Sequence, residues 1–302
     1  MNEINFHQLR IFYFVAKRGS FSAAADALHI SQPAVSNQVK LLEQRYDQPL
    51  FTRCSRALQM TQTGEFVFDY ARRIFALSEE MEKVLQDLAG LASGRLVIGA
   101  STTIGEYCLP ETIVRFKDRY PGVALELRIS NTRQIADEVL RHALDIGFIG
   151  GKIDSPNLVV EPFAEDKIVL IASPKHRLAR KKNIRVEELR EEEFITREKG
   201  SATRVAAEGC LKELGIEPRV RMELGSNESV KQAVLAGAGL GMLSRSSIER
   251  EGTRKKIVLL NVPEFDCRRQ LSLIYRKDKL FTSAEKAFVA MARSQDLSEA
   301  TL

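Results

Sequence analysis

Nowhere in these 302 residues is there an apolar run approaching the roughly 18 that a membrane-spanning helix needs. The first residues, MNEINFHQLRIFYFVAKRGS, carry an acid first and their bases last, with no cleavage site of small residues. They do not read as a secretory signal, and the expected location is the cytoplasm. Cysteine is sparse: Cys54, Cys108, Cys210 and Cys267 lie far apart with no CxxC pair. In a reducing compartment they are expected as free thiols. The four histidines, His7, His29, His142 and His176, are equally scattered and form no HExxH. No metal site and no cofactor are expected. Walker loops, G-x-S-x-G and paired-carboxylate motifs are missing too. The GAGLG at Gly237–Gly241 follows a predicted helix, the reverse of the strand-first order of a dinucleotide fingerprint. The chain is therefore not expected to be an enzyme.

What is present is globular. Hydrophobic residues make up 44% and charged residues 28%, enough to build cores, and the length exceeds one average domain. The net charge of +5 permits an anionic partner, and the distribution of charge says more than the total. Up to Met60, the bases Arg10, Lys17, Arg18, Lys40, Arg45, Arg53 and Arg56 outnumber Glu3, Asp26, Glu43 and Asp47. A locally basic module heads the chain.

In that module Leu9, Phe12, Val15 and Ala16 recur at helical spacing, predicting a helix over 6–18 that Gly19 ends. Ser20 caps a short alanine-rich helix, SFSAAADAL, and Ser31 caps a third. Pro33 falls in the first turn of the third, where its missing N–H has no intrahelical acceptor to lose. Val35, Val39 and Leu42 form its inward stripe, so Gln32, Pro33, Ser36, Asn37 and Lys40 face outward. Two short helices joined tightly, the second with a polar face, predict a helix-turn-helix. Gln and Asn can pair with adenine, Ser with either edge, and Lys with guanine or phosphate. Ser22, at the start of the second helix, completes this expected DNA surface. QPLFTRCSRALQMT then predicts two short strands around a basic loop, a wing with Arg53 and Arg56 at the backbone or minor groove. Thr63 is expected to cap a long helix over about 64–89. Its stripe of Phe66, Tyr70, Ile74, Leu77, Met81, Val84, Leu85 and Leu88 calls for a second copy of itself.

The stretch FHQLRIFYFVAKRGSFSAAADALHISQPAVSNQVKLLEQRYDQPLFTRCSRALQMTQTGE resembles the DNA-binding half of LysR-type transcriptional regulators. The shared features are the SFS-AA-AL block, the S-Q-P-A-V-S helix, its L-E ending, the L-F-x-R wing and the helix after T-x-T-G. The resemblance implies a winged helix-turn-helix, a dimerising linker helix and a homotetramer on a dyad-symmetric site in double-stranded DNA. By position, Gln32, Pro33, Ser36 and Asn37 match base- and backbone-contacting residues of the family, and Arg53 its wing arginine. Many relatives carry Arg where this chain has Asn37.

Beyond GLASGRLVIGAS the composition shifts, and strands and helices alternate. Predicted strands at 96–100, 123–129 and 145–149 are separated by helices around 105–119 and 132–142. A second series follows: strands at 167–172, 194–195 and 220–224, helices near 203–214 and 228–236, and late strands at 241–243 and 271–276. Such alternation predicts parallel sheet flanked by helices. The fold class expected is α/β, a winged helix-turn-helix and linker helix followed by two lobes like those of type 2 periplasmic binding proteins. Domains are placed at 1–62, 63–90 and 91–302, with lobe I at about 91–163 and 268–302 and lobe II at about 164–267. Open α/β sheets bind ligands beyond the carboxyl ends of their strands. There the chain has Ser101, Thr102 and Thr103, then Ser130 and Asn131, then Ser201, Thr203 and Arg204, all before helices. Hydroxyls and free N–H groups at helix starts suit an oxyanion. With no bulky apolar lining, a small anionic effector is expected, which brings regulators of sulfur assimilation or carbon fixation to the fore.

Two other readings stay open. Cys210 lies near the second cysteine of the family's peroxide-sensing branch, although Ser201 and Ala202 occupy the region of its reactive first one. A disulfide from Cys210 to Cys108 or Cys267, and with it a thiol-based sensor, depends on geometry. A solute-binding protein or enzyme would explain the second half but not residues 1–60.

Overall fold

The computed structural model describes residues 3–54, 57–88, 94–249 and 257–294, and the chain divides into two compact units, Met1–Glu82 and Lys83–Leu302. In the first unit, α1 (Phe6–Arg18) begins at Asn5, whose side chain accepts the N–H groups of His7 and Gln8, and ends at Gly19 with φ +67°. Helix α2 (Phe21–Leu28) is capped by Ser20 and α3 (Gln32–Tyr46) by Ser31, with Pro33 in the first turn of α3. His29, at φ +55°, turns the chain between them. Leu9, Phe12, Val15, Ala24, Ala25, Val35, Val39 and Leu42 close one core. The wing strands β1 (Phe51–Cys54) and β2 (Ala57–Met60) pair antiparallel.

The L-E and T-x-T-G motifs have local physical causes. Glu43 Oε1 accepts the N–H of Leu50 at 2.8 Å, fastening the end of α3 to the wing. Thr61 Oγ1 accepts the N–H of Gly64 at 2.9 Å and donates to the Pro49 carbonyl at 2.7 Å. A Cβ on Gly64 would meet the Leu50 carbonyl oxygen at 2.1 Å, so no larger residue fits there. The long helix α4 (Gln62–Leu88) is accordingly capped by Thr61, not Thr63 as expected, because the wing passes directly against its first turn. Val67, Phe68, Ala71, Ile74 and Phe75 of α4 pack into the core of the first unit, where Tyr13 stacks on Phe68. Ile74, expected on the outward stripe, is thus turned inward. Phe66, Tyr70, Leu77, Met81 and Leu85 remain exposed, and the side chain of Leu88 lies outside the described residues.

The second unit is built on one continuous sheet. Strand β3 (Gly94–Ser101) lies parallel to β4 (Val123–Ser130) and β5 (Ile146–Gly150). Strand β7 (Glu193–Arg197) lies parallel to β8 (Arg219–Leu224) and β9 (Leu240–Ser244). Between these two groups run β6 (Leu158–Ala172) and β11 (Cys267–Arg276), paired antiparallel over ten residues of β11, with β10 (Val258–Leu259) added along β6. The expected strands at 167–172 and 271–276 are only the ends of these two. They continue through a register shift at Leu271/Ser272, opposite Pro162–Ala164, where a proline has no N–H for the ladder. This crossing joins two lobes. On lobe I, α5 (Pro110–Arg119) and α10 (Ser283–Arg293) cover one face through Phe116 and Phe288, and α6 (Thr132–Leu140) the other through Ile135 and Val139. On lobe II, α7 (Ala202–Glu213) packs Ala207 and Leu211 on one face, and α8 (Asn227–Leu235) packs Val230 and Val234 on the other. A four-residue helix, α9 (Ser246–Glu249), follows β9.

Two expectations are corrected here. The helix expected over 105–119 is a π-helical turn, Ile104–Cys108, followed by α5. Pro110 cannot donate to a continuous ladder, so the helix restarts with the proline in its first turn. The cysteines are not all free thiols: Cys210 on α7 and Cys267 on β11 form a disulfide, with Cα atoms 5.8 Å apart. Cys108 is buried and free. No described helix is long and apolar enough to cross a membrane.

Candidate DNA-reading face and effector site

In the first unit, Ser31, Gln32, Pro33, Asn37 and Lys40 are exposed and Ser36 half-buried, while Val35, Val39 and Leu42 are buried beneath them. Ser22 is exposed on the first turn of α2. The outward face of α3 is thus polar, small and unobstructed within its own unit. The backbone of Arg53 lies in β1. Its side chain and the whole of Arg56 lie outside the described residues.

In the second unit, the loops at the carboxyl ends of β3, β4 and β7 meet around a small pocket of about 10 Å³. Its wall brings together Ser101, Thr102, Thr103, Asn131, Ser201 and Thr203, six of the eight effector-site residues expected. Their convergence follows from local caps. Asn131 accepts the N–H of Gln134 and starts α6, while Ser201 precedes α7. The other two lie elsewhere. Ser130 donates to Gln134. Arg204 turns outward to Glu208 at 2.8 Å and Glu223 at 2.5 Å. The hydrogen bond from Arg204 holds the Glu223 carboxyl below the ordinary glutamate range, and that same bond raises the Arg204 guanidinium.

Two arginines that were not anticipated dominate the pocket. Arg197, 2% exposed at the end of β7, donates to Thr102 Oγ1 at 3.2 Å across the lobes, to Asn227 Oδ1, and to Glu198 at 2.8 Å. Arg269 on β11 donates to Thr203 Oγ1 at 2.9 Å and Thr103 Oγ1 at 3.1 Å, one from each lobe. Asp166 on β6 pairs with it at 2.7 Å and also accepts from Ser244 Oγ at 2.6 Å. No carboxylate lines the pocket. Two buried guanidinium groups, six hydroxyls and an asparagine make a donor-rich cradle that suits an oxyanion. A sequence signal for Arg269 exists. With Cys267 and Leu271 it occupies the inward positions of β11, so a charge stands where the alternation calls for an apolar residue. Arg197 closes β7 in the same way, at a buried position.

Comparison with known proteins agrees with both halves. The LysR substrate binding domain matches residues 89–296, and the bacterial regulatory helix-turn-helix protein of the lysR family matches residues 6–65. The chain belongs to the LysR family of transcriptional regulators: a sequence-specific DNA-binding protein with an N-terminal helix-turn-helix and a two-lobe α/β effector-binding domain. It is 34% identical over 289 residues to the HTH-type transcriptional activator CmpR of Synechocystis sp., covering 96% of this chain and 95% of that protein. It is 37% identical to the RuBisCO operon transcriptional regulator of Allochromatium vinosum, covering 94% of each. Among solved structures, the regulatory domain of Synechocystis CcmR in complex with 2-PG is 32% identical, with a TM-score of 0.62, covering 67% of this chain and 96% of that one.

Proposed function

We propose that this protein binds a dyad-symmetric promoter site through α3 and the wing, and that a small anion in the pocket between the lobes controls that binding. The observation that carries the effector half is the pair of buried arginines, Arg197 and Arg269, on one pocket with no acidic lining. CcmR, a relative seen with 2-PG, supports a small anionic effector, and relatives named for RuBisCO support a place in carbon assimilation. In this reading residues 1–62 read DNA, 63–90 form the linker and 91–302 sense the effector. Lobe I takes about 91–163 and 268–302, and lobe II about 164–267. Gln32, Pro33, Ser36 and Asn37 meet base edges and the DNA backbone. Lys40 reaches guanine or phosphate, Arg53 and Arg56 reach backbone phosphates or the minor groove, and Ser22 completes the DNA surface. The exposed stripe of α4 pairs with a second copy, and dimers assemble into tetramers. The protein acts in the cytoplasm as a regulator rather than an enzyme.

Thermal unfolding of the full chain with sulfate, phosphate, thiosulfate and 2-PG tests the effector reading. One of these at a hundred times its dissociation constant should stabilise by about 2.7 kcal/mol. Thr102→Ala, which removes one wall hydroxyl, should reduce that gain. If no anion stabilises the protein, the pocket is only a set of helix caps. On the DNA side, Gln32→Ala should narrow the gap between operator and random DNA by about 1–3 kcal/mol. An unchanged ratio in a binding titration at fixed salt would mean the face is misassigned.

A second reading, thiol–disulfide control, is favoured by one observation. The Cys210–Cys267 disulfide ties α7 to β11, the two elements that present Thr203 and Arg269 to the pocket.

A further inference from the structure

A larger cavity lies against the other side of the inner pocket's wall. Thr132, Ala202 and Arg269 line both. The outer cavity holds about 610 Å³, the size of a small-molecule site. Both lobes and the crossing build it: the 150–154 segment after β5, the first turns of α7, and residues 268–270 of β11. Gly150 and Gly151 keep its floor clear, since a Cβ on Gly150 would press on the Arg269 guanidinium at 3.0 Å and Gly151 has φ +76°.

The lining differs in kind from the inner pocket. Ile153, Ala202, Val205 and Ala206 make much of it apolar, and Val205 is 67% exposed. Four cations stand around it, Arg133, Lys152, Arg268 and Arg269, against the single carboxylate of Asp154. Arg268 is held by Glu165 at 2.9 Å and Asp266 at 3.1 Å, and Arg269 by Asp166. Arg133 and Lys152 are exposed, and their side chains take part in no hydrogen bond or ion pair among the described residues.

We infer that the outer cavity is a second ligand site for an organic acid with an apolar body. Its acid group pairs with Arg133 and Lys152, and its body lies on Ile153, Ala202, Val205 and Ala206. The inner pocket has room for no such body, so the two sites take different ligands. This separation rests on the small-anion reading of the inner pocket. Because Arg269 and Ala202 belong to both walls, a ligand in the outer site bears on the elements that hold the inner anion, which gives the regulator two inputs on one hinge.

The probe is 8-anilinonaphthalene-1-sulfonate, an apolar-bodied acid, titrated by fluorescence into the full chain beside the sulfate thermal-shift assay. A saturable component of one probe per chain is expected. It should weaken about tenfold in the double variant Arg133→Gln/Lys152→Gln, which removes two charge-assisted contacts, and in Val205→Glu. All three substituted positions are exposed, so their melting temperatures should match the parent. Arg197→Gln, which lines only the inner pocket, should leave the probe bound while removing the sulfate effect. A probe affinity indifferent to both rim variants would overturn the proposal. So would loss of the probe in Arg197→Gln, or its stoichiometric displacement by sulfate, since either would mean one continuous site. If the rim variants weaken the probe while no small anion ever stabilises the chain, the outer site stands and the inner reading falls.

Discussion

Replacing Arg269 with methionine is expected to destabilise the regulatory domain by about 3–5 kcal/mol and to abolish its response to small anions. The guanidinium and its partner Asp166 have side chains only 5% and 3% exposed. Removing one member of such a pair leaves the other charge buried without its counterion. Asp166 would keep only the Ser244 hydroxyl, and Thr103 and Thr203 would lose the donor that joins lobe I to lobe II. The double variant Arg269→Met/Asp166→Leu should recover much of the lost stability, because an apolar pair of similar size carries no desolvation penalty. It should recover none of the anion response. Urea unfolding of the four proteins of this cycle separates the two effects. A single-variant loss under about 1 kcal/mol would show that water reaches the pair in solution.

Reducing the Cys210–Cys267 disulfide should lower stability by about 4 kcal/mol, the loop-closure estimate for a separation of 57 residues. For a domain of this size that corresponds to a melting temperature lower by roughly 10 °C. Unfolding with and without dithiothreitol measures it, with Cys267→Ser as the control that should no longer respond. Coincident melting curves would mean that the bridge does not constrain the unfolded chain in solution. The same samples decide between a staple and a sensor. Cys267 stands two positions before Arg269 on one face of β11, and Cys210 lies on α7 with Thr203. If reduction also changes operator affinity at saturating anion, the thiol reading gains. If it changes stability alone, the bridge is structural.

The first unit is largely legible in the sequence because its signals are local. Ser20 and Ser31 as caps, Pro33 in a first turn and Val35, Val39 and Leu42 on one stripe each involve residues within two helical turns of one another. The exception is instructive. Helix α4 starts two residues earlier than its stripe predicts because its cap, Thr61, answers to Pro49 and Leu50 across the wing, a contact no periodicity encodes.

The regulatory domain shows the same division on a larger scale. Alternating apolar strands and capped helices made the α/β class and the hydroxyl-bearing helix starts readable. Thr102, Thr103, Asn131, Ser201 and Thr203 could each be named from a strand end followed by a helix, because open sheets put such ends on one side. That Arg197 reaches Thr102 across 95 residues of chain, and Arg269 reaches Thr103 across 166, was decided by the crossing of β6 and β11. So was the pairing of Cys210 with Cys267, and so was the turning of Arg204 to Glu223 and away from the pocket. Capping and amphipathicity act over a few residues and leave their mark in local order. The meeting of buried charges depends on how two lobes close around a shared pair of strands, and that is a property of packing alone.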